Sequence, residues 1–273
     1  MTDLVVRRLL VDMEAPIARH WCEGDPFRTA LFNALSMSFP VGEQFFIDSV
    51  RTGFRALADG KKERFRAGVQ GFVAQEATHR RLHSLYNSQL ERQGLVNEWA
   101  GRAQLRLKLL KGADPRHAVA ITAANEHFTA ILADWLLANP DLLGTQDRRL
   151  ATLWLWHSAE EAEHKCIAFD LYQALEGNEQ WRITWFRRIT LIFLGDLARQ
   201  TVNNLRRDGS LWRWRTWRSG ALLLLGRRGL IRQTYLPWRR YLRHGFHPSQ
   251  QDSGQAQRWL AEHRDQYTAV TTA

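Results

Sequence analysis

The sequence has little cysteine: Cys22 and Cys166 are the two in 273 residues. They form neither a Cys-x-x-Cys pair nor a disulfide framework, which excludes a disulfide-stapled secreted scaffold and points to a reducing compartment. Apolar runs such as Leu191 to Leu194 and Ala221 to Leu225 fall far short of the roughly 20 residues that cross a bilayer. Asp3, Arg7, Arg8, Asp12 and Glu14 interrupt the opening stretch where an export signal would be apolar. A cytoplasmic protein is therefore expected, with peripheral contact at the inner face of the membrane as a variant of that expectation. Strand patterning is scarce, β-branched alternation being hinted at only from Leu4 to Val11. Low-complexity linkers are missing. So are helix-turn-helix, zinc-finger and RNA-binding signatures, so nucleic acid is not an expected partner.

What is present is ordinary globular composition, 45% hydrophobic and 24% charged, which excludes a disordered chain. The net charge of +10 is unevenly spread. Trp181 to Phe246 carries 15 arginines against Asp196 and Asp208, a surplus of 13, so the remainder is mildly acidic. This asymmetry predicts two parts that meet different partners: a helical bundle over 1–178 and an Arg/Trp-rich helical extension over 179–273, packed on it.

Periodicity of 3.6 residues predicts an all-α fold. A first helical region spans Phe27 to Leu57, interrupted near Pro40, because proline suits a helix start better than its interior. A second runs from Lys61 to Gln93 and is closed by Gly94; a short one lies near Ala103 to Leu110. Asp114 and Pro115 open another that reaches Asn139, and a fourth long helix spans Gln146 to Leu175. Shorter helices follow, one near Trp181 to Leu205 and others between Leu211 and Leu242.

Carboxylates belong on the wet side of such helices, because burying one costs several kcal/mol unless a partner compensates it. Here Glu43 precedes Phe45, Phe46 and Ile47; Glu76 lies between Phe72 and His79; Glu126 stands among alanines and Phe128; Glu161 follows Trp154 and Trp156. Four inward carboxylates on four helices demand cations between them. Glu76 with His79, and Glu161 with His164, are spaced i and i+3, so each pair can offer a carboxylate and an imidazole to one ion. His157 lies on the same stripe as Glu161 and His164 and reaches the same region, although a core histidine would occupy that position too. His83, one turn beyond His79, fits a supporting or cavity position, and Glu160 and Glu163 fit a solvated or supporting face.

The order lone Glu, Glu-x-x-His, lone Glu, Glu-x-x-His is that of a dinuclear carboxylate bundle. From Phe27 to Gly177 the chain resembles the ferritin-like superfamily, which implies a four-helix bundle with additional C-terminal helices and makes Glu43 and Glu126 the lone ligands. The added histidine, His157, is similar to the p-aminobenzoate N-oxygenase branch of di-iron proteins, with four glutamates and three histidines as ligands. Gly42-Glu43-Gln44-Phe45-Phe46, the two Glu-x-x-His helices and Phe246-His247-Pro248 resemble a bacterial family described as predicted metal-dependent hydrolases.

These resemblances imply two iron ions, with manganese or zinc as substitutes, held by Glu43, Glu76, His79, Glu126, His157, Glu161 and His164. The same residues would be catalytic. The first reading is O2 activation to oxidise or oxygenate a small apolar or aromatic substrate, N-oxygenation included. Its partners would be O2, the substrate and an electron donor. A substrate pocket is expected beside Phe46, Phe72, Phe128 and Trp154. The alternatives are a dinuclear hydrolase and a non-catalytic membrane-surface metalloprotein, and a homodimer is an open expectation. The segment 181–246, with six of the 12 tryptophans, reads as a packed basic cap or as a membrane-surface contact.

Overall fold

A computed structural model describes residues 4–270. The fold is all-α, with two three-residue strands among the described residues: β1 (Arg7–Leu9) and β2 (Tyr267–Ala269), paired antiparallel. β1 falls inside the stretch where alternation is hinted at.

The helix α1 (Pro26–Ala56) starts at Asp25, whose carboxylate accepts the backbone N–H groups of Phe27 and Arg28, with Pro26 in the first turn where its missing N–H costs nothing. α1 runs through Pro40 without a break, contrary to the expected interruption. The physical reason is local: proline leaves the carbonyl of Ser36 without its helical donor, and the side-chain amide of Asn87 supplies one at 2.9 Å. α2 (Asp59–Arg92) ends in a left-handed Gly94, with Leu95 N–H donating to the Leu90 carbonyl and Gly94 N–H to that of Glu91.

After α3 (Glu98–Lys108) come α4 (Pro115–Ala138), capped by Asp114, and a short 3-10 turn, Pro140–Leu143. The expected fourth long helix is two, α5 (Arg148–His164) and α6 (Ile167–Ala174). Between them the Lys165 ammonium turns away to the Gln251 carbonyl and the Ser253 hydroxyl, both at 2.8 Å. α7 (Glu179–Asp208), α8 (Trp214–Leu225) and α9 (Leu230–Tyr241) follow, and then α10 (Gly254–Glu262), which periodicity did not reveal.

The main packing partners are α1 with α2 and α4 with α5, joined across the α1/α4 seam, with α7 laid along α1 and α4 and α9 along α4. Two apolar cores result. One is built around Trp21, Phe32, Tyr86 and Trp156, the other around Phe72, Phe169, Phe186 and Tyr241. Gly53 allows the close approach of α1, since a β-carbon there would stand 2.6 Å from Val119. Glu43, Glu76, Glu126 and Glu161 lie between the two cores, all buried.

Candidate metal centre

The stripes of α1, α2, α4 and α5 bring the seven expected residues to one place, and every one is buried. Glu76, His79, Glu161 and His164 each offer a donor atom, all within 4.8 Å of one another; Glu43, His79 and His157 form a second such group. The two groups share His79. Glu126 joins them through His164, whose Nδ1 is 2.9 Å from Glu126 Oε2 and 3.6 Å from Glu76 Oε1. His157 Nε2 is 2.8 Å from Glu161 Oε1 and 3.9 Å from Glu43 Oε1.

No lysine or arginine compensates this cluster at ion-pair distance among the described residues. Both oxygens of Glu43 and of Glu76 are buried without a hydrogen-bond partner, as are Glu126 Oε1, Glu161 Oε2, His79 Nδ1 and His164 Nε2. Buried native polar groups are nearly always satisfied. Orphan oxygens and imidazole nitrogens facing one another are the donor set of a metal such as iron, manganese or zinc, so the residues fit the implied metal pair.

Electrostatics follow from this crowding. Burial holds Glu43 and Glu76 well above the usual carboxylate range, and pushes Glu126 up to about 7 against the pull of His164. For Glu161 burial is outweighed by the charge of His164 and by the close imidazoles of His157 and His79, which hold it low. His79 is likewise raised to about 10 in spite of burial, by Glu160 and Glu161, whereas burial lowers His157 to about 4.

Two supports hold the imidazoles. Glu160 is wholly buried, and its Oε2 is 2.9 Å from His79 Nε2 while Oε1 accepts from Arg7 Nη1 at 3.0 Å. With Nε2–H donated to Glu160, His79 Nδ1 is left to face the cluster, as in carboxylate–histidine–metal arrangements. Arg7, on β1, also spans Glu163 at 2.7 and 2.9 Å. The second support is a directional chain. His157 Nδ1–H donates to His83 Nε2 at 2.7 Å, His83 Nδ1–H to Ser36 Oγ at 2.9 Å, and the Ser36 hydroxyl to Asn87 Oδ1 at 2.8 Å. It leaves His157 Nε2 free of its proton, facing Glu161 and Glu43. Burial keeps His83 neutral, which this chain requires.

Of the two readings open for Glu160, the supporting one holds and the solvated one does not, while the residues expected to line a substrate pocket divide. Phe72 stands edge-on to His164 at 5.0 Å and is fully buried, whereas Phe46 and Phe128 line a cavity of about 300 Å³ between α1, α3, α4 and α7. Trp154 lines a smaller one, about 40 Å³, that touches His157 and Glu161. Phe39 and Thr129 are shared by these two cavities, so the larger space neighbours the smaller one that touches the cluster.

A family model described as "Predicted metal-dependent hydrolase" matches residues 5–252. The chain belongs to this family. No curated protein and no solved structure gives a significant match. The family match spans α1 to α9, so the α7–α9 region belongs to the same family unit as the buried cluster. A metal-dependent family and a buried Glu/His cluster with orphan donors thus coincide in one chain.

Proposed function

We propose that this protein is a dinuclear metal-dependent hydrolase acting on a small ester or amide with an apolar body. The observation that carries this reading is the set of orphan buried donors on Glu43, Glu76, His79, Glu126, Glu161 and His164 in a chain of a predicted metal-dependent hydrolase family. Glu76, His79, Glu161 and His164 would hold one ion, and Glu43 and His157 the other, with Glu126 beside His164. Ions bound there supply Lewis acidity toward a carbonyl oxygen and lower the pKa of water. The chain's own contribution is orientation and exclusion. Glu160 fixes the His79 ring and His83 the His157 ring, while Phe39, packed on His157 with ring centroids 4.8 Å apart, closes the cluster against solvent. The apolar cavity lined by Phe46 and Phe128 accepts the body of the substrate.

A second reading, O2 activation by two irons of the ferritin-like kind, is favoured by one observation: the donors are four carboxylates and three imidazoles without thiolate, in apolar surroundings. One experiment separates the two. Metal-free protein is reloaded anaerobically with Zn(II), Mn(II) or Fe(II) and offered aryl and alkyl esters and amides. Hydrolysis that needs two metals per chain and is indifferent to O2 is expected. Absent hydrolysis, with O2 consumed by the Fe(II) form, overturns the hydrolase reading in favour of the second.

A further inference from the structure

The middle of α7 is inverted relative to a helix on a water-facing surface. Its polar side chains point inward: Asp196 takes Arg102 at 2.7 Å and also Arg106, Gln200 accepts the first N–H groups of α3, and Asn204 reaches the Ala30 carbonyl. Its aliphatic residues point outward, with Leu191 75% exposed and Leu194 and Val202 also exposed. α8 and α9 continue this face. Leu222, Leu225, Ile231, Tyr235 and Leu236 are exposed, and Trp212, just before α8, is 92% exposed.

Leu194, Val202, Trp217, Ile231 and Tyr235 all rim one apolar cavity of about 480 Å³, so they form a single surface and not scattered residues. A contiguous apolar surface of this kind on a soluble chain marks an interaction site. Exposed arginines alternate with these residues along the sequence. Of the 15 between Trp181 and Phe246, all but Arg182, Arg206, Arg207 and Arg228 lack an ion pair among the described residues.

We infer that the α7–α9 face docks on an anionic phospholipid surface. Charge complementarity selects this occupant. A second copy of the chain, related by a two-fold axis, would set the same arginines against each other, whereas anionic headgroups neutralise them and leave the leucines and tryptophans to enter the acyl boundary. None of the described helices is long and apolar enough to cross a membrane, so the contact lies in the interface plane. The docking cavity shares Leu132 with the small cavity that touches His157 and Glu161. On the reading of the site given above, an apolar substrate dissolved in the bilayer would therefore enter beside the cluster.

Vesicle sedimentation of the full chain tests the docking without any activity assay, so its failure would leave the metal-centre reading standing. Vesicles of mixed phosphatidylcholine and phosphatidylglycerol should bind the protein at low salt and shift its tryptophan emission to the blue; pure phosphatidylcholine should bind it far less. Binding should weaken as the Debye length drops from about 10 Å at 0.1 M salt to about 3 Å at 1 M. The exposed triple variant Arg213→Gln/Arg215→Gln/Arg218→Gln should bind about a hundredfold less tightly. Trp212→Ser/Leu222→Ser/Leu225→Ser should keep its circular dichroism but lose the emission shift. Failure to bind anionic vesicles at low salt overturns the proposal, as does equal, salt-insensitive binding to both lipids. A stable dimer that shields these tryptophans without lipid, and that the Trp/Leu variant dissolves, would assign the face to a second copy and overturn it too.

Discussion

Glu160 and Glu161 are adjacent in sequence and answer to different partners. Glu161 is shared between His157, His79 and His164, whereas Glu160 is held by Arg7 and holds His79. Their replacements should therefore differ. Glu161→Ala or Glu76→Ala should remove most of the bound metal, measured by elemental analysis after gel filtration, and retention of two ions per chain would contradict the ligand assignment. Glu160→Gln should keep the stoichiometry but weaken affinity by about 10- to 100-fold in a chelator competition, the usual cost of losing a ligand's supporting partner. His157→Ala should keep the fold and bind metal more weakly; unchanged affinity would make His157 a core histidine. His127 carries a different prediction. It is packed between Phe186, Tyr241 and Phe246 and faces the Pro237 carbonyl, and burial lowers it to about 3. Its folded value lies below the unfolded one of about 6.5, so its stabilising effect is complete above that pH. The effect is lost on acidification toward 3 at about 1.4 kcal/mol per pH unit. Denaturant midpoints of His127→Phe should fall less steeply between pH 6 and 4 than those of the parent.

At the scale of elements, Pro40 is the instructive position. α1 tolerates it because Asn87 on α2 satisfies the carbonyl it frees, and the same Asn87 closes the hydrogen-bond chain that ends on His157. Asn87→Ala should cost about 1–3 kcal/mol in urea unfolding, the penalty of a buried unsatisfied acceptor, and should also loosen metal affinity. The helices and the seven clustered residues were legible because each lies on a 3.6-residue apolar stripe, where a carboxylate has no other explanation. Pro40 misled because its rescue comes from another helix. Glu160 stands one residue off the Glu161 stripe, so periodicity places it on the wet side; His79 and Arg7, 81 and 153 positions away, make its burial tenable. The α5/α6 break depends on where Lys165 finds Gln251 and Ser253, again a distant partner. What a sequence window cannot show is the other half of a long-range pair.

For the whole molecule, the proposed metal centre makes folding and metal binding one equilibrium. An ion that binds the folded chain stabilises it by about 2.7 kcal/mol at a free concentration 100 times its Kd. Calorimetry should show a lower Tm after chelation and a concentration-dependent recovery with metal, and a Tm indifferent to chelator would separate the cluster from any metal role. The sheet sets a schedule for this equilibrium. Arg7 reaches Glu160 from β1, and β1 is paired with β2 at residues 267–269. During synthesis the last of the seven clustered residues, His164, is added about a hundred residues before β2, so an ion captured before β2 is made would meet a His79 whose support is still unanchored. On the proposed reading, full affinity for metal waits on the far strand, and a chain that stops short of residue 267 should load more weakly.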